Sequence, residues 1–352
     1  MHKFLPLSLL CFGLVCQNAI AQVASCAQTL RLARSTYEQG RLHELPDLLK
    51  TCLNNGFTKQ EKVEAYKLLT LSFIYLEEPE KADEAMLNLL LANPYFEINP
   101  AVDPAEFVAL YKTFRTNPIY RIGAKLGVNA SQPNITDQTS AVEINSESEY
   151  KYGIGFLFGG TAEVPLNDKM TLHGELLYFQ KKYALNLTVN RGLNEDDKIL
   201  VNKFTGTESQ NWLSLPVSFE YKIIDKAFNP YVAAGLSVDY LLSDQLKGER
   251  SRTDAASITQ STFEFKPLRE KINISALAAA GAKVKLGGGF FVMEFRYLYG
   301  ITKINSPKTA FANEQATWDQ GYADPVFKIN SLSVTASYIY NVFNPKKKKH
   351  RK

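Results

Sequence analysis

From Ile119 to Phe343 the chain reads as eight segments in which apolar and polar residues alternate at every second position. A β-strand sends successive side chains to opposite faces, so each segment carries one apolar and one polar face. In the first, Tyr120, Ile122, Ala124, Leu126 and Val128 share one face, and Arg121, Gly123, Lys125, Gly127 and Asn129 share the other. The fourth sets Leu213, Leu215, Val217, Phe219 and Tyr221 against Ser214, Ser218, Glu220 and Lys222. The seventh sets Phe291, Met293, Phe295, Tyr297 and Tyr299 against Val292, Glu294 and Arg296, and the last sets Leu332, Val334, Ala336, Tyr338 and Tyr340 against Ser331, Ser333, Thr335 and Ser337. Pro216 lies on the polar face of the fourth segment. Because proline cannot donate to a ladder, it predicts a bulge or an edge-like irregularity there.

The connections alternate too. Those after segments two, four and six are short, at Pro165 to Lys169, Ile224 to Asn229 and Gly287-Gly288-Gly289, whereas the others are long and polar, as from Asp244 to Glu270. Short turns in the periplasm and long loops outside are the pattern of an eight-stranded antiparallel transmembrane β-barrel, with both barrel ends on the periplasmic side. No continuous apolar run of about 20 residues follows the N-terminus, which excludes helical spans. A hydrophobic content of 45% is low for a helical membrane protein, but suits a barrel whose alternate residues alone meet lipid.

Residues 1–21 read as a signal peptide: Lys3, an apolar stretch from Phe4 to Val15, and Ala19-Ile20-Ala21 as a small-residue cleavage site. The rival reading lipidates Cys16, but Val15 before it is larger than that processing requires. Cleavage after Ala21 leaves Cys26 and Cys52, an even pair that an oxidising compartment would join as a disulfide; two buried free thiols are the alternative. The cysteines show neither redox nor zinc-site spacing, and the sequence points to no cofactor or metal.

Residues 22–117 change period. Leu30, Ala33 and Tyr37, then Leu45, Leu48, Leu49 and Cys52, then Ala65, Leu68, Leu69 and Phe73 recur at helical spacing. Gly40, Gly56, Pro79, Pro94 and Pro104 divide the region into about five helices, with Pro79 near the first turn of the fourth and Asp103-Pro104 opening the fifth. Ala33, Tyr37, Gly40 and Leu48 resemble the first part of a tetratricopeptide repeat, and Tyr66, Leu69, Phe73, Ala82 and Pro94 a looser second copy. Stacked helical hairpins of that kind commonly bind a partner protein; the plainer reading is that the helices only brace the barrel.

The inward faces of the eight segments carry a polar set: Arg121, Lys125, Lys222, Lys283, Lys285 and Arg296 against Glu163, Glu175, Glu220, Asp239 and Glu294, with His173 beside Glu175 on the third. A His, a carboxylate and the Ser and Thr of the last segment are the residue types of a nucleophilic triad. A narrow eight-stranded barrel fills its lumen with side chains, however, so the expectation is a structural network and not an enzyme. Glu195-Asp196-Asp197 reads as a solvated loop rather than a calcium site. The run of Lys346, Lys347, Lys348, Lys349, Arg351 and Lys352 reads as a solvated tail over residues 344–352, or as a contact for anionic lipid or acidic protein, not nucleic acid.

The order of parts, with the barrel opening on Ile122-Gly123-Ala124-Lys125-Leu126-Gly127-Val128-Asn129, resembles the PorT-type outer-membrane barrels of Bacteroidota. That resemblance covers about two thirds of the chain; it implies an outer-membrane location and, for some members, a part in type IX secretion or surface-protein assembly. The expected architecture is α+β and multidomain: tetratricopeptide-like helical hairpins over 22–117 in the periplasm, then the barrel over 118–343. The expected role is partner binding by the helices, as a scaffold or assembly component. The alternatives are a barrel whose long external loops bind a ligand, and a lumen enzyme acting on lipid.

Overall fold

The computed structural model describes residues 26–137, 146–193, 199–224, 228–253 and 255–348. The signal-peptide segment, Glu195-Asp196-Asp197, and Lys349, Arg351 and Lys352 lie outside the described residues. The chain divides into two compact units: Ile119–Val342, and a helical unit composed of the residues before Ile119 together with those from Phe343 onward.

In the first unit, nine strands form one antiparallel sheet: β1 (Tyr120–Asp137), β2 (Ser146–Pro165), β3 (Met170–Leu193), β4 (Ile199–Lys222), β5 (Phe228–Arg252), β6 (Ala255–Glu264), β7 (Ile272–Leu286), β8 (Gly289–Gly300) and β9 (Val326–Val342). Eight of them close into a ring in the order β1-β2-β3-β4-β5-β7-β8-β9, and β6 pairs only with the far end of β5. Cross-strand partners followed from Arg121 run through Glu163, His173, Ser218, Gly235, Leu277 and Leu298 to Ser331, whose partner on β1 is Ser131 rather than Arg121. The ring therefore closes with a stagger, which is the shear that tilted barrel strands require. At Pro216 the β3 ladder stops after Gly174–Val217 and resumes in the same register at Leu177–Ser214. The missing donor leaves a gap and not a bulge; the bulge of β4 falls at Asn211/Trp212, against β5.

About 9–11 residues of tilted strand cross a bilayer, yet β3 and β4 have 24 each and β5 has 25. Their two ends differ. Toward the short turns, Leu172, Leu176 and Tyr178 of β3 and Leu213 to Tyr221 of β4 present the apolar face outward, and the exposed Leu126, Phe158, Leu236, Phe295 and Val334 continue this band around the ring. Beyond Tyr178 the outward residues become Gln180, Lys182, Asn186 and Thr188, while Tyr183, Leu185, Leu187 and Val189 turn inward and are buried. The extension has its own core of Leu185, Leu187, Phe204, Leu246, Phe263, Phe265 and Tyr322, with Ala316 of a short helix α6 (Glu314–Gln320) packed in. Most of the stretch from Asp244 to Glu270, expected as loop, is thus strand.

The helical unit contains α1 (residues 26–38), α2 (Leu45–Asn54), α3 (Lys59–Tyr75), α4 (Pro79–Ala92) and α5 (Ala105–Lys112). Gly40, at φ +76°, ends the first turn region in a conformation that side chains rarely adopt. Thr58 and Glu61 form a reciprocal capping box at the start of α3, and Pro79 opens α4 where its missing N–H is not needed. Cys26 and Cys52 are joined as a disulfide between α1 and α2, within a core that includes Leu30, Leu45, Leu49, Phe57 and Leu69. Asp103, buried before α5, accepts from the Asn99 amide at 2.7 Å and from Lys67 Nζ at 2.5 Å. Burial alone would raise its pKa, but these donors hold it below the usual carboxylate range.

As far as it is described, the tail leaves Lys346, Lys347 and Lys348 exposed while its backbone is fastened. The Phe343 ring meets Tyr95 edge-on at 4.8 Å, the Arg115 amide donates to the Lys346 carbonyl at 2.9 Å, and the Lys348 amide donates to the Thr113 carbonyl at 2.7 Å. Lys347 pairs with Asp83. The unpaired backbone just after α5 offers this edge, which is why a polar run orders here.

Candidate functional site

Among the described residues, the lumen of the ring gathers charged side chains in quantity away from water, and it is built in tiers by the inward positions of the strands. Nearest the short turns, Glu163 of β2 binds Lys283 of β7 at 2.9 Å and Arg121 of β1 at 3.2 Å; Glu220 of β4 lies 2.7 Å from both Lys283 Nζ and His173 Nε2. In the next tier Arg296 of β8 holds Glu175 of β3 through two bonds of 2.8 Å, Lys125 joins Glu175 at 2.6 Å and Glu294 at 3.2 Å, and the Tyr231 hydroxyl donates to Glu294 at 2.8 Å. Four carboxyl groups here face four basic side chains, Arg121, Lys125, Lys283 and Arg296. An isolated buried ion costs far more than a pair bonded in this way.

Two of these bonds decide what the lumen can do. In the closed ring β2 stands opposite β7, and β3 opposite β8. Glu163–Lys283 and Glu175–Arg296 are therefore direct bonds between opposite walls, and the bore is spanned by side chains at two levels. A third tier follows, in which Lys181 meets Asp239 at 2.8 Å, lies over the Trp212 and Phe179 rings, and Ser237 and Asn273 complete the carboxylate's bonds. Leu177, Phe179, Trp212, Leu241, Leu298 and Phe327 fill the space around and above it.

Glu163, His173 and Glu220 also bring three atoms of metal-ligand type within 4.8 Å of one another. The Lys283 ammonium sits within 3 Å of both carboxylates, where a bound cation would have to be, so the cluster already contains its cation. Of the residues expected in this network, Arg121, Lys125, Glu163, His173, Glu175, Glu220, Asp239, Lys283, Glu294 and Arg296 are brought together. Lys222 is half-buried and Lys285 exposed at the short-turn end, where their strands run out and the alternation no longer separates lumen from solvent. Lys181, Tyr231, Glu208, Asp244, Arg269 and Asp324 also belong to the buried polar interior, and no local pattern in the sequence marks them for it.

A closed antiparallel ring with an outward apolar band, and a lumen lined with paired charges, is the physical description of a barrel in lipid. Residues 117–306 match the family described as the outer membrane protein beta-barrel domain. The chain belongs to this family. As an outer-membrane barrel, it meets membrane lipid through the band that includes Leu126, Phe158, Val217 and Phe295. It is similar in fold to Neisserial surface protein A (13% identity, 63% of this chain and 96% of that one, TM-score 0.29) and to OprG of Pseudomonas aeruginosa (12%, 64% and 98%, 0.31). It is also similar to the attachment invasion locus protein Ail of Yersinia pestis (12%, 64% and 99%, 0.25). Likenesses at this level carry no argument. No curated protein matches the sequence.

Proposed function

We propose that this outer-membrane barrel is an anchor, and that its helical unit binds a partner protein as a scaffold or assembly component, with that unit and the short turns on the periplasmic side. The observation that carries this reading is the spanned bore: a lumen crossed by Glu163–Lys283 and Glu175–Arg296 is filled by side chains, as narrow eight-stranded barrels are, which turns attention to the two ends of the chain's architecture. The helical unit supports a binding role because it has its own core, a disulfide and a tail fastened by backbone bonds, all the marks of a body that folds for its own purpose. A tetratricopeptide-like groove and a part in protein secretion are the narrower forms of the proposal, and they rest on the sequence resemblance.

The test is crosslinking in intact cells with the full chain and with a version lacking residues 22–117 and the tail from Asn344, using membrane fractionation to verify that the barrel still inserts. A defined partner captured by the full chain and lost from the truncated barrel supports the proposal. Identical capture by both sinks it.

A second reading has its own observation. The strand extensions carry an open groove of about 420 Å³ across β4, β5 and β6, walled by Thr205, Thr207, Lys247, Glu249, Gln260 and Thr262. Its hydroxyl, amide and charged walls suit a polar ligand met at the long-loop end. Thr207→Trp, which blocks the groove without touching the extension's core, separates this reading from the first if surface binding is lost while the crosslinked partner is retained.

A further inference from the structure

Past the last lipid-facing residues of β4 and β5, Leu213 and Leu242, two long connections are tied to the wall through one guanidinium. Arg269, between β6 and β7, has no exposed side-chain surface and lies between the Phe265 and Phe327 rings, 4.9 and 5.1 Å from their centroids. Its Nε meets Asp244 Oδ2 of β5 at 2.6 Å, its Nη2 meets Glu208 Oε1 of β4 at 2.8 Å, and its Nη1 pairs with Asp324, just before β9. Backbone bonds run beside these contacts: the Glu270 amide donates to the Ile304 carbonyl at 2.8 Å, and the Ile304 amide to the Phe327 carbonyl at 2.9 Å. The cluster is where the segments 265–271 and 301–325 join the strand extensions.

Three carboxylates share one guanidinium in a place stripped of solvent, and they are not equally served. Asp324 has both oxygens bonded, by Arg269, by Asn305 Nδ2 at 2.8 Å and by the Tyr322 hydroxyl at 3.2 Å. Glu208 and Asp244 each have one oxygen held by Gln210 Nε2, at 2.9 and 3.1 Å, and by Arg269. Their remaining oxygens, Glu208 Oε2 and Asp244 Oδ1, are buried without a donor. The two carboxyl groups converge on the same Gln210 Nε2 and the same guanidinium, which sets them side by side. Two carboxylates at that separation repel, whereas a carboxylic acid donates to a carboxylate, so one hydrogen serves both groups and removes one of the two excess negative charges. Among the described residues, the other titratable groups facing the cluster are phenols: Tyr183 of β3 near Glu208, and Tyr322 on Asp324 with Tyr150 of β2 behind it.

We propose that Glu208 and Asp244 share one proton and that this proton is a latch: while it is bound, the Arg269 cluster holds segments 265–271 and 301–325 on the strand extensions, and its loss releases them. Opening separates the pair and lets the proton go to solvent, so alkalinity favours the open form. The balance is one proton released per opening, with no other reactant.

The experiment is hydrogen exchange on the full chain in lipid nanodiscs from about pH 5 to about pH 9, read as protection factors of the Glu270, Ile304 and Asp324 amides so that the intrinsic pH dependence of exchange is removed. The expected result is a fall of about tenfold per pH unit, the slope of a single-proton linkage. In Asp244→Asn the amide permanently donates to Glu208, so protection is expected to stay high and flat; Glu208→Gln serves the same purpose if the first variant does not fold. A flat profile in the native chain overturns the proposal, as does an unchanged slope in either variant. Loss of protection on adding EDTA at constant pH, restored by calcium or zinc, also overturns it, because a metal ion and not a proton would then join the two carboxylates.

Discussion

The two ends of strand β4 obey the same alternation and bury the same face, but the chemistry of that face and of the one opposite changes along the strand. From Leu213 to Tyr221 the apolar residues point outward and Ser214, Ser218 and Glu220 point into the ring; from Phe204 to Trp212 the outward residues are Thr205, Thr207, Ser209 and Asn211, and the aromatics point inward. The strand geometry is one and the solvent is two. Where lipid surrounds the wall, the hydrophobic effect no longer drives apolar groups inward, and the interior is left to charges that must pair. Where water surrounds it, the same ring needs an apolar core.

Four outcomes would break or sharpen that contrast. Glu175→Ala leaves Lys125 and Arg296 with Glu294 as the one carboxylate between them in the lipid-level lumen, a buried excess of positive charge, and about 3–5 kcal/mol should be lost in urea unfolding of the barrel in lipid. A much smaller loss would mean that water reaches this tier. Arginine placed on the outward face tests the two solvents directly: Val217→Arg should cost about 2–4 kcal/mol near the middle of the band, whereas Thr207→Arg on the extension should fall within about 0.5 kcal/mol of the native chain. Equal costs would remove the distinction between the two ends.

The helical unit gives a water-only reference. Replacing Cys52 with alanine should destabilise that unit by about 3 kcal/mol in the chain-entropy account, seen as a lower thermal midpoint of the helical signal with the barrel transition unmoved. The smallest effect is a pH dependence in the same unit. Asp103 has a folded pKa below its unfolded value, so its contribution is complete above about pH 4 and disappears as pH falls through the folded value. Asp103→Asn should flatten the acid limb of the helical melting curve and cost about 1 kcal/mol at neutral pH through its weaker bond to Lys67; an acid limb unchanged in the variant would assign that limb to other carboxylates.

Much of the ring was legible because period-two patterning is a local signal. Arg121 and Lys125 fall on one face by counting alone, and so do Glu163, His173, Glu175, Glu294 and Arg296. The extension does not stand out as strand because alternation in a lipid-facing wall keeps one polarity along its length, and here the polarity reverses. Tyr183, Leu185, Leu187 and Val189 continue the inward phase of His173 and Glu175 with the opposite character, and that reversal was the available clue. Arg269 offered none: it sits in Lys266-Pro267-Leu268-Arg269-Glu270, an ordinary polar connection, and its burial is decided by Glu208, Asp244 and Asp324, which are distant in sequence. The ordered tail was hidden in the same way, since a run of lysines carries no local sign of the backbone edge at Thr113 to Arg115 that receives it.

That edge imposes a chronology on biogenesis. Phe343 to Lys348 follow β9, yet they fasten onto Tyr95, Asp83 and the strand of backbone after α5, so the helical body cannot be completed by the segment that is translated and exported first. Its final contacts wait until the closing strand has been delivered, which makes a fully fastened helical unit a built-in report that the whole barrel sequence has arrived.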